Sequence, residues 1–109
     1  MKALIIGVGA VGSVIAKHLA KSEGVEELII ADKSLERAKR VAAETGRRKA
    51  VAKRVNALNY RRVAKLAKNV DILINATLPK YNLSLMKACL EAGAPVSYTH
   101  LTLPTTERV

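Results

Sequence analysis

Ala3-Leu4-Ile5-Ile6-Gly7-Val8-Gly9-Ala10-Val11-Gly12 runs an apolar stretch directly into three glycines with the spacing GxGxxG. Val11, Val14, Ile15, His18 and Leu19 follow at helical intervals, so the glycines fall where a first strand would turn into a first helix. In that place Gly7 permits a tight turn, Gly9 leaves the backbone open to a pyrophosphate, and Gly12 lets the helix pack close to the strand. Free amides and the positive helix end would then meet the phosphates. A second apolar run, Leu28 to Ala31, closes on Asp32, 20 residues beyond Gly12. An acid ending a second strand can accept hydrogen bonds from adenosine ribose hydroxyls, as nicotinamide and flavin dinucleotide sites require.

Outward from that segment, strand and helix patterns alternate with no long linker, low-complexity tract or internal repeat. The alternation predicts strands near 3–6, 27–31, 50–55 and 70–75, and helices near 11–22, 34–45, 60–68 and 83–92. Ser34 and Asn59 are suited to start helices, and Gly46 and Gly93 to stop them. Leu35, Ala38 and Ala42, then Val63, Leu66 and Ala67, supply inward faces. The expected fold is a Rossmann-type, doubly wound α/β domain, a parallel sheet with right-handed crossovers and helices on both faces.

In such a sheet, ligands lie beyond the carboxyl ends of strands at the switch point. Strand four ends at Asn75, Ala76, Thr77, Leu78 and Pro79, which should therefore border a dinucleotide. Asn75 and Thr77 offer hydrogen bonds to phosphates or to the nicotinamide ribose; the alternative is a loop cap with no ligand. Asn56, just past strand three, could edge an adenine pocket or simply form a turn.

Size and composition narrow the function. The chain has 109 residues, room for one domain and too few for a cofactor domain plus a substrate domain. No apolar run is long enough to span a bilayer, and the start lacks the order of a secretory signal, so the expected location is cytoplasmic and no membrane partner is expected. The single cysteine, Cys89, excludes an internal disulfide and fits a small buried hydrophobe among Leu85, Met86 and Leu90. His18 lies on the predicted inner stripe of the first helix, which favours packing over catalysis. No acid and base pair, nucleophile triad or metal spacing is present, so no catalytic or metal-binding residue is assigned.

The net charge is +10, and residues 33–68 hold thirteen Lys and Arg against Glu36 and Glu44. A nucleic-acid surface normally adds stacking aromatics or a recognition helix, and Tyr60 is the one aromatic in this block. A solvated face is the simpler reading; attraction of a phosphorylated cofactor or a polyanion are the others. Cofactor choice is pulled both ways. Asp32 favours NAD by repelling a 2′-phosphate, whereas Lys33 and Arg37 could neutralise that phosphate in NADP. Short range gives the acid the larger effect, and NAD is slightly favoured.

GVGAVGSVIAKHLA at 7–20, IIADKSLERA at 29–38 and VDILINATLPKYNLSLMKACLEAG at 70–93 resemble the N-terminal NAD(P)-binding domain of the saccharopine dehydrogenase family, over residues 1 to about 95. The resemblance implies a pyrophosphate held by Gly7, Gly9, Ala10, Val11 and Gly12, an adenosine ribose held by Asp32 and Lys33, and a nicotinamide ribose near Asn75, Ala76, Thr77 and Leu78. It also implies a parent enzyme that oxidises or forms a C–N bond of an amino acid or polyamine with NAD or NADP. The substrate would be held by a second domain, the domain alone would be inactive, and a homo-oligomer is left open. A reading from another class is a nucleotide-sensing regulatory Rossmann module of a transport system, which shares the glycines and the strand-two acid.

After ACLEAG the family pattern calls for a fifth strand ending in an acid. This chain instead has four Thr in residues 96–109, where the preceding 95 residues have only Thr45 and Thr77. Val96 to Thr105 match one reading frame of a transposase library adapter without a mismatch. The expected organisation is therefore an incomplete dinucleotide-binding domain at 1–95 and a non-native tail at 96–109, extended beside strand four if it is structured.

Overall fold

Strand β1 (Lys2–Ile6) is buried from Ala3 to Ile6, on both faces of a sheet. A strand covered on both sides has no polar face, which is why its sequence is a continuous apolar run rather than an alternating one. The computed structural model describes residues 1–46, 50–77, 82–93 and 96–98. The chain continues through α1 (Ala10–Ala20), β2 (Glu27–Asp32), α2 (Leu35–Glu44), β3 (Ala50–Arg54), α3 (Tyr60–Ala67), β4 (Ile72–Asn75), α4 (Asn82–Ala92) and β5 (Val96–Tyr98).

The five strands lie in the order β3-β2-β1-β4-β5, and all pairings are parallel. From β1 the chain steps outward through β2 to β3, then crosses back to β4 on the other side of β1. That reversal creates the switch point between β1 and β4. Alternate residues feed two cores. Ala3, Ile5 and Ile30 pack with Ala16, Ala20, Ala38 and Val41 of α1 and α2. Leu4, Ile6 and Leu73 pack with Val63, Ala67, Leu85 and Ala88 of α3 and α4. Helices therefore cover both faces, and the doubly wound α/β class expected from the sequence is the one observed.

Helix ends follow the local chemistry. The Ser34 hydroxyl accepts the N–H of Arg37 at 3.2 Å, and the Asn59 side chain accepts that of Arg62 at 3.3 Å. The first satisfies a backbone donor that the helical turn leaves over, and the second shares the Arg62 N–H with the Asn59 carbonyl, which accepts it at 3.1 Å. Gly46 and Gly93 follow α2 and α4 with φ of 67° and 72°.

The inner face of α1 differs from the expected stripe. Gly12, Ala16 and Ala20 are buried, Val11, Ile15 and Leu19 are partly buried, and Val14 and His18 face solvent. Gly12 sets the phase: the helix must present its smallest residues to β1, and positions 12, 16 and 20 recur at four-residue spacing. The same correction applies on a smaller scale to α2, where Val41 is buried and Leu35 and Ala42 only partly so, and to α3, where Ala64 is buried and Leu66 partly so. On α1 and α3 small residues win these positions because a helix over a sheet approaches closely where side chains are short, whereas on α2 the phase of the helix buries Val41 beside Ala38. Strand β4 also starts two residues late. Asp71, just before it, is tied to β1 instead, its carboxylate accepting the Lys2 N–H at 2.7 Å and its own N–H bonding to the Lys2 carbonyl at 2.8 Å.

Candidate cofactor site

The glycine turn is locked from three directions. Gly7 adopts φ +96°, a conformation L side chains rarely take, and its N–H donates to the Ala31 carbonyl at 2.8 Å. A Cβ at Gly7 would stand 3.0 Å from the Ala76 carbonyl oxygen, and one at Gly12 would stand 2.0 Å from the carbonyl oxygen of Gly7. No rearrangement of a flexible side chain relieves a clash with backbone, so α1 can start this close to β1 only with glycine at position 12. The Ser13 hydroxyl adds a 3.2 Å bond to the Val8 carbonyl.

Gly9 is the opposite case. A Cβ there would meet nothing within 4 Å. It is the residue before α1, no side chain caps the helix start, and the first turn carries no acid. The backbone at positions 9–12 thus forms an open cradle at a positive helix end, with Ala10 exposed and Val11 partly exposed at its rim. A diphosphate fits such a cradle, since its oxygens can approach the amides without meeting a side chain.

Asp32, at the end of β2, is 8% exposed. Its Oδ1 accepts the Val8 N–H at 3.2 Å and its Oδ2 accepts the Ser34 N–H at 2.9 Å. Arg37 Nη1 lies 3.9 Å from the same Oδ2 on the solvent side. The carboxylate therefore joins the glycine turn to the start of α2. Each carboxylate oxygen has a second lone pair, so ribose hydroxyls can still be accepted. Lys33 is exposed beside it.

Asn75 is fully buried, and its Oδ1 accepts both the N–H and the hydroxyl of Thr77, the former at 2.9 Å. Its side chain shapes the exit of β4 rather than facing outward. Ala76 is placed by its N–H on the Ile6 carbonyl at 2.9 Å, and Ala76 and Thr77 crowd Gly7, so the β4 exit and the glycine turn form one contiguous rim. Leu78 lies outside the described residues. Asn56 is exposed and its Oδ1 accepts the Leu58 N–H at 2.9 Å, a turn at the carboxyl end of β3.

Gly7, Gly9, Gly12, Asp32, Ala76 and Thr77 are thus brought together at the switch point, while Asn56 stands further out along the sheet. The sequence reading missed Val8 and Ser34, whose amides hold the acid. Backbone donors leave no residue-type signal, although the position of Ser34 two residues after Asp32 is that of a local Asx turn. Among the described residues, no group of three His, Cys, Asp or Glu could hold a metal ion. Among the same residues, no helix is long and apolar enough to cross a membrane.

A parallel sheet reversing at β1/β4, with an open glycine cradle and a buried acid ending β2, defines a Rossmann-type nucleotide-binding domain. The family model for the saccharopine dehydrogenase NADP binding domain matches residues 3–107, and the chain belongs to that family. It is 36% identical over 94 residues to carboxyaminopropylagmatine dehydrogenase of Synechocystis sp., covering 84% of this chain and 24% of that protein. It is 31% identical over 102 residues to glutamyl-tRNA reductase of Corynebacterium efficiens, covering 94% of this chain and 21% of that one. The chain therefore spans less than a quarter of the length of these relatives. In fold it is similar to saccharopine dehydrogenase (L-Glu forming) from Saccharomyces cerevisiae, with a TM-score of 0.81 at 17% identity over 94% of this chain and 22% of that one. Quinate dehydrogenase from Corynebacterium glutamicum, in complex with NAD, gives a TM-score of 0.60 at 26% identity over 73% of this chain and 29% of that one.

Proposed function

We propose that this chain is the dinucleotide-binding part of a nicotinamide-dependent oxidoreductase acting on a C–N bond of an amino acid or polyamine. The observation that carries the cofactor reading is the pairing of an open Gly9 cradle with Asp32 fixed beside it by Val8 and Ser34. Support for the substrate class comes from membership of the family and from the relative whose name describes a polyamine precursor. When bound, the cofactor supplies hydride transfer chemistry. The residues of this chain bind and orient it: amides at 9–12 take the pyrophosphate, Asp32 and Lys33 the adenosine ribose, and the rim at 75–78 the nicotinamide ribose. In this assignment Asn75 acts through Thr77, and Asn56 edges the adenine. The substrate would be held by a second domain.

NAD is the preferred cofactor on this reading. Asp32, ending β2, would accept a 2′ hydroxyl and oppose a 2′-phosphate. Arg37, 3.9 Å from Asp32, is the residue through which NADP would be accepted. Fluorescence titration of the intact protein with NADH and NADPH tests both statements. Tighter NADH binding at low and physiological salt supports them; NADPH tighter by about tenfold, or about 1.4 kcal/mol, at both salts overturns the cofactor preference, and binding of neither overturns the function.

We further propose that residues 1–95 are an incomplete domain, that 96–109 are foreign to it, and that the native chain continues past residue 95 with a different sequence. The shift to a threonine-rich tail supports this. Amplification across the junction from source DNA should read from Gly93 into a valine-rich strand ending in an acid, and recovery of the Ser97–Val109 codons would overturn it.

A further inference from the structure

We infer that a second anion site, distinct from the dinucleotide cradle, lies on the outer edge of the sheet and takes a linear oligophosphate. Lys53, Arg54 and Val55 at the carboxyl end of β3, with Arg62, Lys65 and Leu66 of α3, line a groove of about 340 Å³. Four of these six residues are cations and none is an acid. All four are exposed, and none forms an ion pair among the described residues, although Lys2, Lys17 and Arg37 each do.

The placement separates this groove from the cradle. Strand β3 is the edge of the sheet, and β2 stands between it and β1. The cradle is built from backbone at 7–12, whereas the groove is lined by residues of the edge strand and of a helix on the opposite face from α1. The two meet at the ends of β2 and β3, where Arg54 is in register with Asp32 and the Val55 N–H donates to the Asp32 carbonyl at 2.9 Å.

The chemistry of the lining selects the ligand. Four like charges around one small groove repel one another, and an anion carrying several charges relieves that repulsion while accepting charge-assisted hydrogen bonds. At roughly 30 Å³ per water the groove holds on the order of ten waters, room for a chain of three phosphates. A nucleic-acid strand is a poorer match because no lining residue is aromatic, and base stacking supplies much of single-strand affinity. Arg62 and Lys65, one turn apart on α3, would bracket the chain while Lys53 and Arg54 close it from the strand.

Calorimetric titration of the intact protein with inorganic tripolyphosphate tests the site. One molecule should bind per chain, and binding should persist at about 0.15 M salt, where screening has removed most long-range attraction between exposed charges. The double variant Arg62→Gln/Lys65→Gln should weaken tripolyphosphate about tenfold or more, with NADH affinity and circular dichroism unchanged. Should that variant misfold, Lys53→Gln provides the same comparison from the strand side. ATP binding more tightly than tripolyphosphate would assign the chain to a nucleotide, and equal binding to an inorganic oligophosphate; both support the site. It is overturned by absence of saturable binding, by unaltered binding in the variants, by displacement of tripolyphosphate with NADPH but not NADH, or by a single-stranded oligonucleotide that binds more tightly and is weakened by the same variants.

Discussion

Asp32 Oδ1 accepts the backbone N–H of Val8 at 3.2 Å, so the last residue of β2 holds the turn that follows β1. An acid at this position is usually considered for what it offers a ligand. Here it also satisfies two buried or half-buried backbone donors, and its removal strands them. Asp32→Ala should lower stability by about 1–3 kcal/mol, the cost of a buried donor left without a partner. Urea denaturation with and without NADH checks it, and a variant as stable as the parent would show that the Val8 bond contributes nothing.

The glycines of the turn should separate by phenotype. Gly9→Val has open space for its side chain and should keep its circular dichroism and melting temperature while losing dinucleotide binding. Gly12→Ala places a carbon 2.0 Å from the Gly7 carbonyl and should cost about 3 kcal/mol or more, through displacement of α1. Cofactor titration beside thermal melts distinguishes the two, and unchanged affinity in Gly9→Val would sink the pyrophosphate assignment.

Arg37→Gln should widen the preference for NADH over NADPH. The guanidinium partly offsets the Asp32 charge at 3.9 Å, and without it a 2′-phosphate meets the carboxylate alone. The expected outcome is a several-fold loss of NADPH affinity against little change for NADH. Equal losses for both would place Arg37 outside the discriminating contacts.

Burial pushes the Cys89 thiol above its ordinary range, with no charged partner involved. A group whose folded value is raised contributes stability that is fully present below the unfolded thiol value and is lost as pH rises through the folded one. Urea midpoints should therefore fall on the alkaline side, and Cys89→Ala should flatten that decline. Thiol reagents should modify Cys89 at neutral pH only as fast as the domain opens, because the side chain is 6% exposed.

Loss of the α3 cap should be mild and local. Asn59→Ala removes one of two acceptors for the Arg62 N–H, the Asn59 carbonyl remaining, and should cost about 1 kcal/mol or less. A change within error would mean that water replaces the cap without loss.

The elements were legible because each carries redundant local signals. Ser34 and Asn59 cap where a polar residue precedes an amphipathic repeat, and β1 and β4 read as strands because both faces demand apolar residues. The face of α1 was legible only in part. The spacing placed Gly12 against the strand, but the repeat drawn through Val14 and His18 did not follow from it, since positions four and eight residues on from Gly12 are Ala16 and Ala20, which carry little hydrophobicity to count. For the site, Gly7, Gly9, Gly12 and Asp32 could be placed from spacing alone. Asn75 was open to two readings, a ligand contact or a loop cap, and its amide oxygen on the Thr77 N–H makes the cap. The bonds from Val8 and Ser34 to Asp32 involve main-chain donors that any residue type provides.

The Gly9 cradle and the Arg37 side of Asp32 differ in how they can change over time. On the proposed reading, the phosphate end is made of main-chain atoms, so point substitution can block it but cannot retune it. The ribose end ends in exposed Lys33 and Arg37, whose replacement leaves the turn untouched. Divergence between the two nicotinamide cofactors would therefore be a matter of a few surface codons after β2, reachable one step at a time without an unstable intermediate, and a designer wishing to switch preference would begin there.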